Sequence, residues 1–179
     1  MKAIADVLKP DVRQGGFVVI KKEGVRAMVL GDCYEHLEAI SLIDAVPDKI
    51  RQQFEVARDL ILYGWFVYEF YTVASQQAFV CLEFALREAC QVANDGVNPC
   101  KGRRKGLACH IKWALEHGLI PGGKYHEKLD QFLPCLRNSA AHGGETLLNY
   151  ALAVPGLELV ADLLNDVFSA EEVASCRAK

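Results

Sequence analysis

From Trp65 to Ala93 the chain reads as one long helix, and this stretch limits the fold more than any other. Phe66, Phe70, Val73, Gln77, Val80 and Phe84 trace one stripe at helical spacing. Ala74, Ala78, Cys81, Ala85 and Ala89 trace the next. Apolar residues spread over so wide an arc describe a helix buried on much of its girth, because a helix on a surface shows only one such stripe. It is the expected spine of a core, and the other elements must pack around it.

The flanking text supplies those elements. Pro47-Asp48 is a helix-start signal, and Ile50, Phe54, Ala57, Leu60 and Ile61 follow at spacings of three and four until Gly64 breaks the pattern. A further helix is expected over roughly 107–117, with Gly118 suiting its stop. Another is expected from near Lys124 with Leu129, Phe132, Leu133 and Leu136 on one face; Pro134 interrupts it, since proline lacks the backbone donor and clashes with the preceding turn. The last starts at Pro155 and runs through Leu159, Val160, Leu163, Leu164 and Val167. The first 45 residues differ: Phe17-Val18-Val19-Ile20 and Val25–Leu30 flank a turn ending in Gly24, which predicts a β-hairpin, with Gly31-Asp32 marking the exit. A lone hairpin is marginally stable, so it is expected to lie against the helical body or a partner chain. The fold class expected is therefore mainly all-α, an antiparallel bundle of four to five helices with a small N-terminal β-hairpin. Residues 1–45 form the appendage and 46–179 the bundle.

Composition narrows the function classes. With 51% apolar and 24% charged residues the chain is not of disordered type. Its net charge of -3 provides no overall field toward nucleic acid, so a polyanionic partner must be met by a local basic patch. One candidate exists: the glycine-, asparagine- and proline-rich loop Asn94–Gly106 carries Lys101, Arg103, Arg104 and Lys105, although a solvated surface loop explains the same residues. The most apolar region carries Glu69, Glu83, Arg87 and Glu88 and is too charged to span a membrane. MKAIADVLKPDVRQGG has neither a continuous apolar run nor a small-residue cleavage site, so no signal peptide is expected. The seven cysteines (33, 81, 90, 100, 109, 135 and 176) lack the close C-x2-4-C pairs of structural zinc sites. They are read as free thiols in a reducing cytoplasm, with no metal and no cofactor.

The common catalytic signatures are absent: there is no phosphate-binding glycine loop, no H-E-x-x-H, no G-x-S-x-G and no dinucleotide fingerprint. His36, His110, His117 and His126 stand alone in helical contexts and are read as structural. What remains is LRNSAAHGG, Leu136–Gly144. Imidazole titrates near neutral pH and can move protons. Guanidinium holds phosphate oxygens through two parallel hydrogen bonds. Arg137 and His142 together are a minimal kit for cutting RNA without metal: the histidine assists the 2′-hydroxyl or protonates the leaving 5′-oxygen, and the arginine stabilises charge on phosphorus. Positions five apart on a helix differ by roughly 140°, so these two do not share a face, whereas Asn138 and His142, four apart, do; Asn138 is placed to orient the imidazole. The competing explanation is capping, since a cation near a helix C-terminus followed by glycine is ordinary.

L-R-N-S-A-A-H-G resembles the signature of the HEPN superfamily, all-helical domains of bacterial toxins and defence proteins: an arginine, usually a polar residue next, and a histidine after four to six intervening residues. Arg137, Asn138 and His142 match with four intervening. The superfamily also has a long preceding helix with an acidic residue near the cleft, and Ser75–Arg87 resembles it, with Glu83 as that residue; the plainer role for Glu83 is an i,i+4 ion pair with Arg87. The resemblance covers roughly 65–168. One branch has a tyrosine two residues after the histidine, where this chain has Gly144, so modification of a tyrosine there is not implied. The resemblance implies a metal-independent endoribonuclease acting by 2′-hydroxyl attack in a toxin or defence setting, catalytic residues Arg137, Asn138, His142 and Glu83, RNA held by Lys101, Arg103, Arg104 and Lys105, a homodimer, and an antitoxin or other partner protein. Two other readings stand beside it: a non-catalytic module of the same type that binds nucleotide, RNA or a partner protein, and a structural domain whose motif caps a helix.

Overall fold

The long apolar text forms helix α3, Phe70–Ala93, in the computed structural model, which describes residues 2–22, 24–100, 106–141, 147–171 and 173–174. Of the two stripes, the alanine-rich one is buried. Ala74, Ala78, Cys81, Ala85 and Ala89 are at most 2% exposed, whereas Val73 and Val80 remain 44% and 49% exposed. Small side chains along a contact allow helix axes to approach closely. Helix α2, Asp48–Tyr63, takes that contact and runs antiparallel to α3. Its first turns meet the second half of α3, where the Cys81 thiol lies 3.5 Å from the Ile50 carbonyl oxygen and Lys49 pairs with Glu88. Its last residue hands over to Gly64, which lies directly against Tyr71.

Four further helices complete the described bundle: α1 (Leu30–Ala39), α4 (Leu107–Glu116), α5 (Leu129–Ala141) and α6 (Tyr150–Ser169). Helix α3 packs on α2, α4, α5 and α6, which makes it the spine. The first turns of α3 and α6 lie at the same end, where the Leu148 N–H donates to Thr72 Oγ1 (3.0 Å) and Tyr71 meets Tyr150 edge to face. Antiparallel strands β1 (Val18–Lys21) and β2 (Gly24–Ala27) form the expected hairpin beside that end, with the Phe17 ring against Tyr150.

Three boundaries differ from the sequence reading, each for a local reason. Gly31-Asp32, read as the exit from the hairpin, lies in the first turn of α1. The Asp32 carboxylate accepts from the Val29 N–H (2.9 Å) and pairs with Arg26 (2.6 Å), so an anion sits in the first turn, where the helix dipole favours it. Cys33, Leu37, Ile40, Leu42 and Val46 then join the common core. Helix α6 starts five residues before Pro155, because the Asn149 side chain accepts from the Leu152 N–H (3.0 Å) and caps an earlier turn. Helix α5 starts at Leu129 and continues through Pro134, which interrupts its hydrogen bonding without ending it. Among the described residues no helix is long and apolar enough to cross a membrane.

The cysteines also depart from the expectation of free thiols. Cys100 and Cys109 form a disulfide that ties the loop after α3 to α4, while Cys33, Cys81 and Cys90 are buried thiols and Cys135 an exposed one. Cys176 lies outside the described residues. The spacing hid the bond: the two cysteines are separated by nine residues in sequence, and only the turn after α3 brings them together. Burial pushes the thiols of Cys33, Cys81 and Cys90 up to about 12, so they remain protonated and act as small apolar side chains. Closing a loop of this length removes conformations from the unfolded chain worth about 2–3 kcal/mol. A Cys100→Ser/Cys109→Ser variant is accordingly expected to melt roughly 4–12 °C lower than the oxidised protein, as followed by circular dichroism. Dithiothreitol should lower the wild-type melting temperature by a similar amount and leave the variant unmoved.

Candidate functional site

Residues far apart in sequence meet where α5 crosses the middle of α3. Arg137, in the last turns of α5, places a guanidinium nitrogen 3.5 Å from a carboxylate oxygen of Glu83 on α3. Its side chain is 40% exposed and that of Glu83 31%, so the pair is open to solvent on one side. A second guanidinium nitrogen of Arg137 donates to Asn138 Oδ1 at 3.2 Å. Glu83 therefore faces across to α5, and Arg87 lies instead over the Phe84 ring, 5.2 Å from its centroid. An ion pair this exposed is worth at most about 1 kcal/mol, so it orients the arginine more than it stabilises the fold.

The loop before α4 reaches the same place. Gly106 has φ +111°, a region that favours glycine, and a methyl group there would stand 3.7 Å from Glu83 Oε1. His110, one turn into α4, is buried, with Nδ1 3.1 Å from the Gly106 carbonyl oxygen and Nε2 3.3 Å from Asn98 Oδ1. Burial holds its imidazole below the usual histidine range, opposed by the Gly106 carbonyl and Glu83. The histidine read as structural is thus a tie between the two ends of the loop, and the Cys100–Cys109 disulfide is a second tie. His142 and the basic residues Lys101, Arg103, Arg104 and Lys105 lie outside the described residues, as do the glycines at 143 and 144.

A second polar cluster lines a groove of about 630 Å³ between the hairpin, α1 and α6. There His36 Nε2 lies 3.0 Å from Glu158 and its Nδ1 3.1 Å from the Tyr150 hydroxyl. Burial raises the Tyr150 hydroxyl well above the usual phenol range, so it stays protonated. No spacing in the sequence announces this cluster, since His36, Tyr150 and Glu158 are joined only by the packing of α1 on α6.

Comparison with family models, with curated proteins and with solved structures finds no match for this chain.

Proposed function

We propose that the protein is a metal-independent endoribonuclease of HEPN type, acting from the Arg137 site in a bacterial toxin or defence setting. One observation carries the reading: Glu83, Arg137 with Asn138, and Gly106, the residue that directly follows the basic run, converge at one partly open position. In this scheme a histidine accepts the 2′-hydroxyl proton, the 2′-oxygen attacks phosphorus, and the bond to the 5′-oxygen breaks as that oxygen takes a proton. The products are a 2′,3′-cyclic phosphate and a free 5′-hydroxyl. His142 is the proton-transfer group, supplied to the scheme by the sequence motif. Arg137 stabilises the charge gathering on the phosphoryl oxygens, Asn138 orients its neighbours, and Glu83 holds the guanidinium in place until the substrate phosphate competes for it. Lys101, Arg103, Arg104 and Lys105 provide backbone contacts without sequence choice. A homodimer would set two such sites across a twofold axis, so that one histidine serves as base and the other as acid.

The test is incubation of the purified protein with single-stranded RNA in excess EDTA, beside Arg137→Ala and His142→Ala variants. Cyclic-phosphate ends that appear with the wild type and vanish with both variants are the expected result. RNA retained but uncut, with retention falling in Arg137→Ala, replaces the nuclease with a binding module. No effect on RNA, with a lower melting temperature for both variants, leaves a structural motif only.

A further inference from the structure

The surface around Arg137 does not end at Glu83. On α3, Val80, Glu83, Phe84 and Arg87 follow at spacings of three and four, so they share one face of the helix. That face is the open one: Val80 is 49% exposed, Arg87 is exposed, and Phe84 is half-buried against the core. The Phe84 ring holds two cations. The Arg87 guanidinium carbon stands 5.2 Å and the Lys49 ammonium 5.3 Å from its centroid. An aromatic ring attracts a guanidinium and limits the freedom of its long stem, so Phe84 orients Arg87 without neutralising it.

The acids beside Arg87 are paired with other cations. Glu83 pairs with Arg137 (3.5 Å) and Glu88 with Lys49. Among the described residues no carboxylate lies within 4.0 Å of the Arg87 guanidinium. Arg87 also acts on His110: burial holds that imidazole below the usual histidine range, the Gly106 carbonyl and Glu83 oppose the shift, and Arg87 adds to it. Arg87 is thus an exposed, oriented guanidinium with no carboxylate at ion-pair distance. It stands one turn beyond Glu83, about 6 Å along the helix axis, so neighbouring phosphates of one nucleic-acid strand can reach both Arg137 and Arg87.

We propose that Arg87, held by Phe84, binds the phosphate next to the one taken by Arg137, so that a single RNA strand runs along α3 from Glu83 toward Glu88. This rests on the ribonuclease reading, which gives Arg137 its phosphate, and adds a second phosphate position to it. A guanidinium grips phosphate oxygens through paired N–H donors, and a backbone contact of this kind fixes the path of the strand without choosing its sequence. Lys49 continues the path on the far side of Phe84, because its exposed pair with Glu88 is weak enough to yield to a phosphate.

The probe is a fluorescein-labelled decamer of 2′-O-methyluridine, which lacks the 2′-hydroxyl nucleophile and is not cut, read by fluorescence anisotropy over a salt series. Arg87→Gln is expected to weaken binding about tenfold and to lower the slope of log affinity against log salt by about 1. Phe84→Leu should weaken binding about two- to fivefold and leave the slope unchanged, because the charge remains. Lys9→Gln, which removes a cation near the other end of α3, should change neither. Unlabelled di- and trinucleotides of the same chemistry, titrated by NMR, count the phosphates: the trinucleotide should bind the wild type about tenfold more tightly, and Arg87→Gln should remove most of that gain. Three results overturn the proposal: a wild type that does not bind the decamer; an Arg87→Gln variant with wild-type affinity and salt slope; or displacement of the decamer by an equal concentration of an aspartate decapeptide, which makes an acidic protein segment the occupant. The cleavage test in EDTA separates this position from the reading beneath it. RNA cut while Arg87→Gln binds like the wild type removes the second phosphate position and keeps the nuclease. Arg87-dependent binding without cutting keeps the position and removes the nuclease.

Discussion

Gly64→Ala is expected to destabilise the protein by about 2–3 kcal/mol and to lower its melting temperature by roughly 4–12 °C. The sign is informative, because the usual rule points the other way. Gly64 has φ -55° and ψ -22°, an ordinary right-handed conformation, so alanine there would be favoured by up to about 1 kcal/mol on backbone grounds. Space decides against it. A methyl group at Gly64 would lie 2.5 and 2.6 Å from two ring carbons of Tyr71 and 2.9 Å from the Ile61 carbonyl oxygen. The ring has little room to yield: Tyr71 is fully buried, edge to face with Tyr68 at 5.4 Å and with Tyr150 at 6.1 Å. Its hydroxyl accepts from Gln14 Nε2 (3.0 Å), which also donates to the Gly64 carbonyl (2.9 Å). A shifted ring would therefore loosen Gln14, a buried side chain whose own carbonyl oxygen already has no partner among the described residues. Thermal unfolding of Gly64→Ala in the wild-type and Tyr71→Leu backgrounds checks the argument. The loss should shrink by more than half once the ring is gone, and an equal loss in both backgrounds would refute the steric account.

Much of the helical body was legible because its signals are local. Asp48 to Tyr63 carries a start signal, a clean three-and-four spacing and a closing glycine, and α2 occupies that range. Helix α1 was not legible. Its decisive residue, Asp32, reads in isolation as a turn former, and becomes a helix opener only because Arg26 and the Val29 N–H are brought to it by the hairpin. The start of α6 was missed for a similar reason: Pro155 is a strong first-turn signal, but Asn149 supplies a cap earlier in the chain.

The site was half legible. Arg137 and Asn138 stand out by chemistry, whereas Glu83 is singled out only through the family resemblance. Which cation Glu83 would face was open, since the i,i+4 spacing to Arg87 is a local signal and the approach of α5 is not. His110 shows the opposite case. Its importance lies in holding Asn98 and Gly106, the described ends of a loop, and a lone histidine in helical text carries no mark of that work.

The stripes of α3 show the same boundary between pattern and packing, with a consequence that can be measured. Periodicity marks both stripes as apolar and cannot say which one faces the core. The answer depends on α2 and α6, whose approach needs the small residues of the second stripe. Leu86 lies within the buried arc at 0% exposure, and Val80 on the first stripe is 49% exposed. Leu86→Ala should cost about 3–5 kcal/mol, the transfer of the lost methyl groups plus the cavity left between packed helices. That corresponds to roughly 6–20 °C in melting temperature. Val80→Ala should stay within about 0.5 kcal/mol, because little area is lost and alanine is the better helix former. Chemical denaturation of the two variants at several protein concentrations makes the comparison. Comparable losses, growing with concentration, would mean that the Val73 and Val80 stripe is covered in solution by another chain, and α3 would then be buried on both faces, as its composition first suggests.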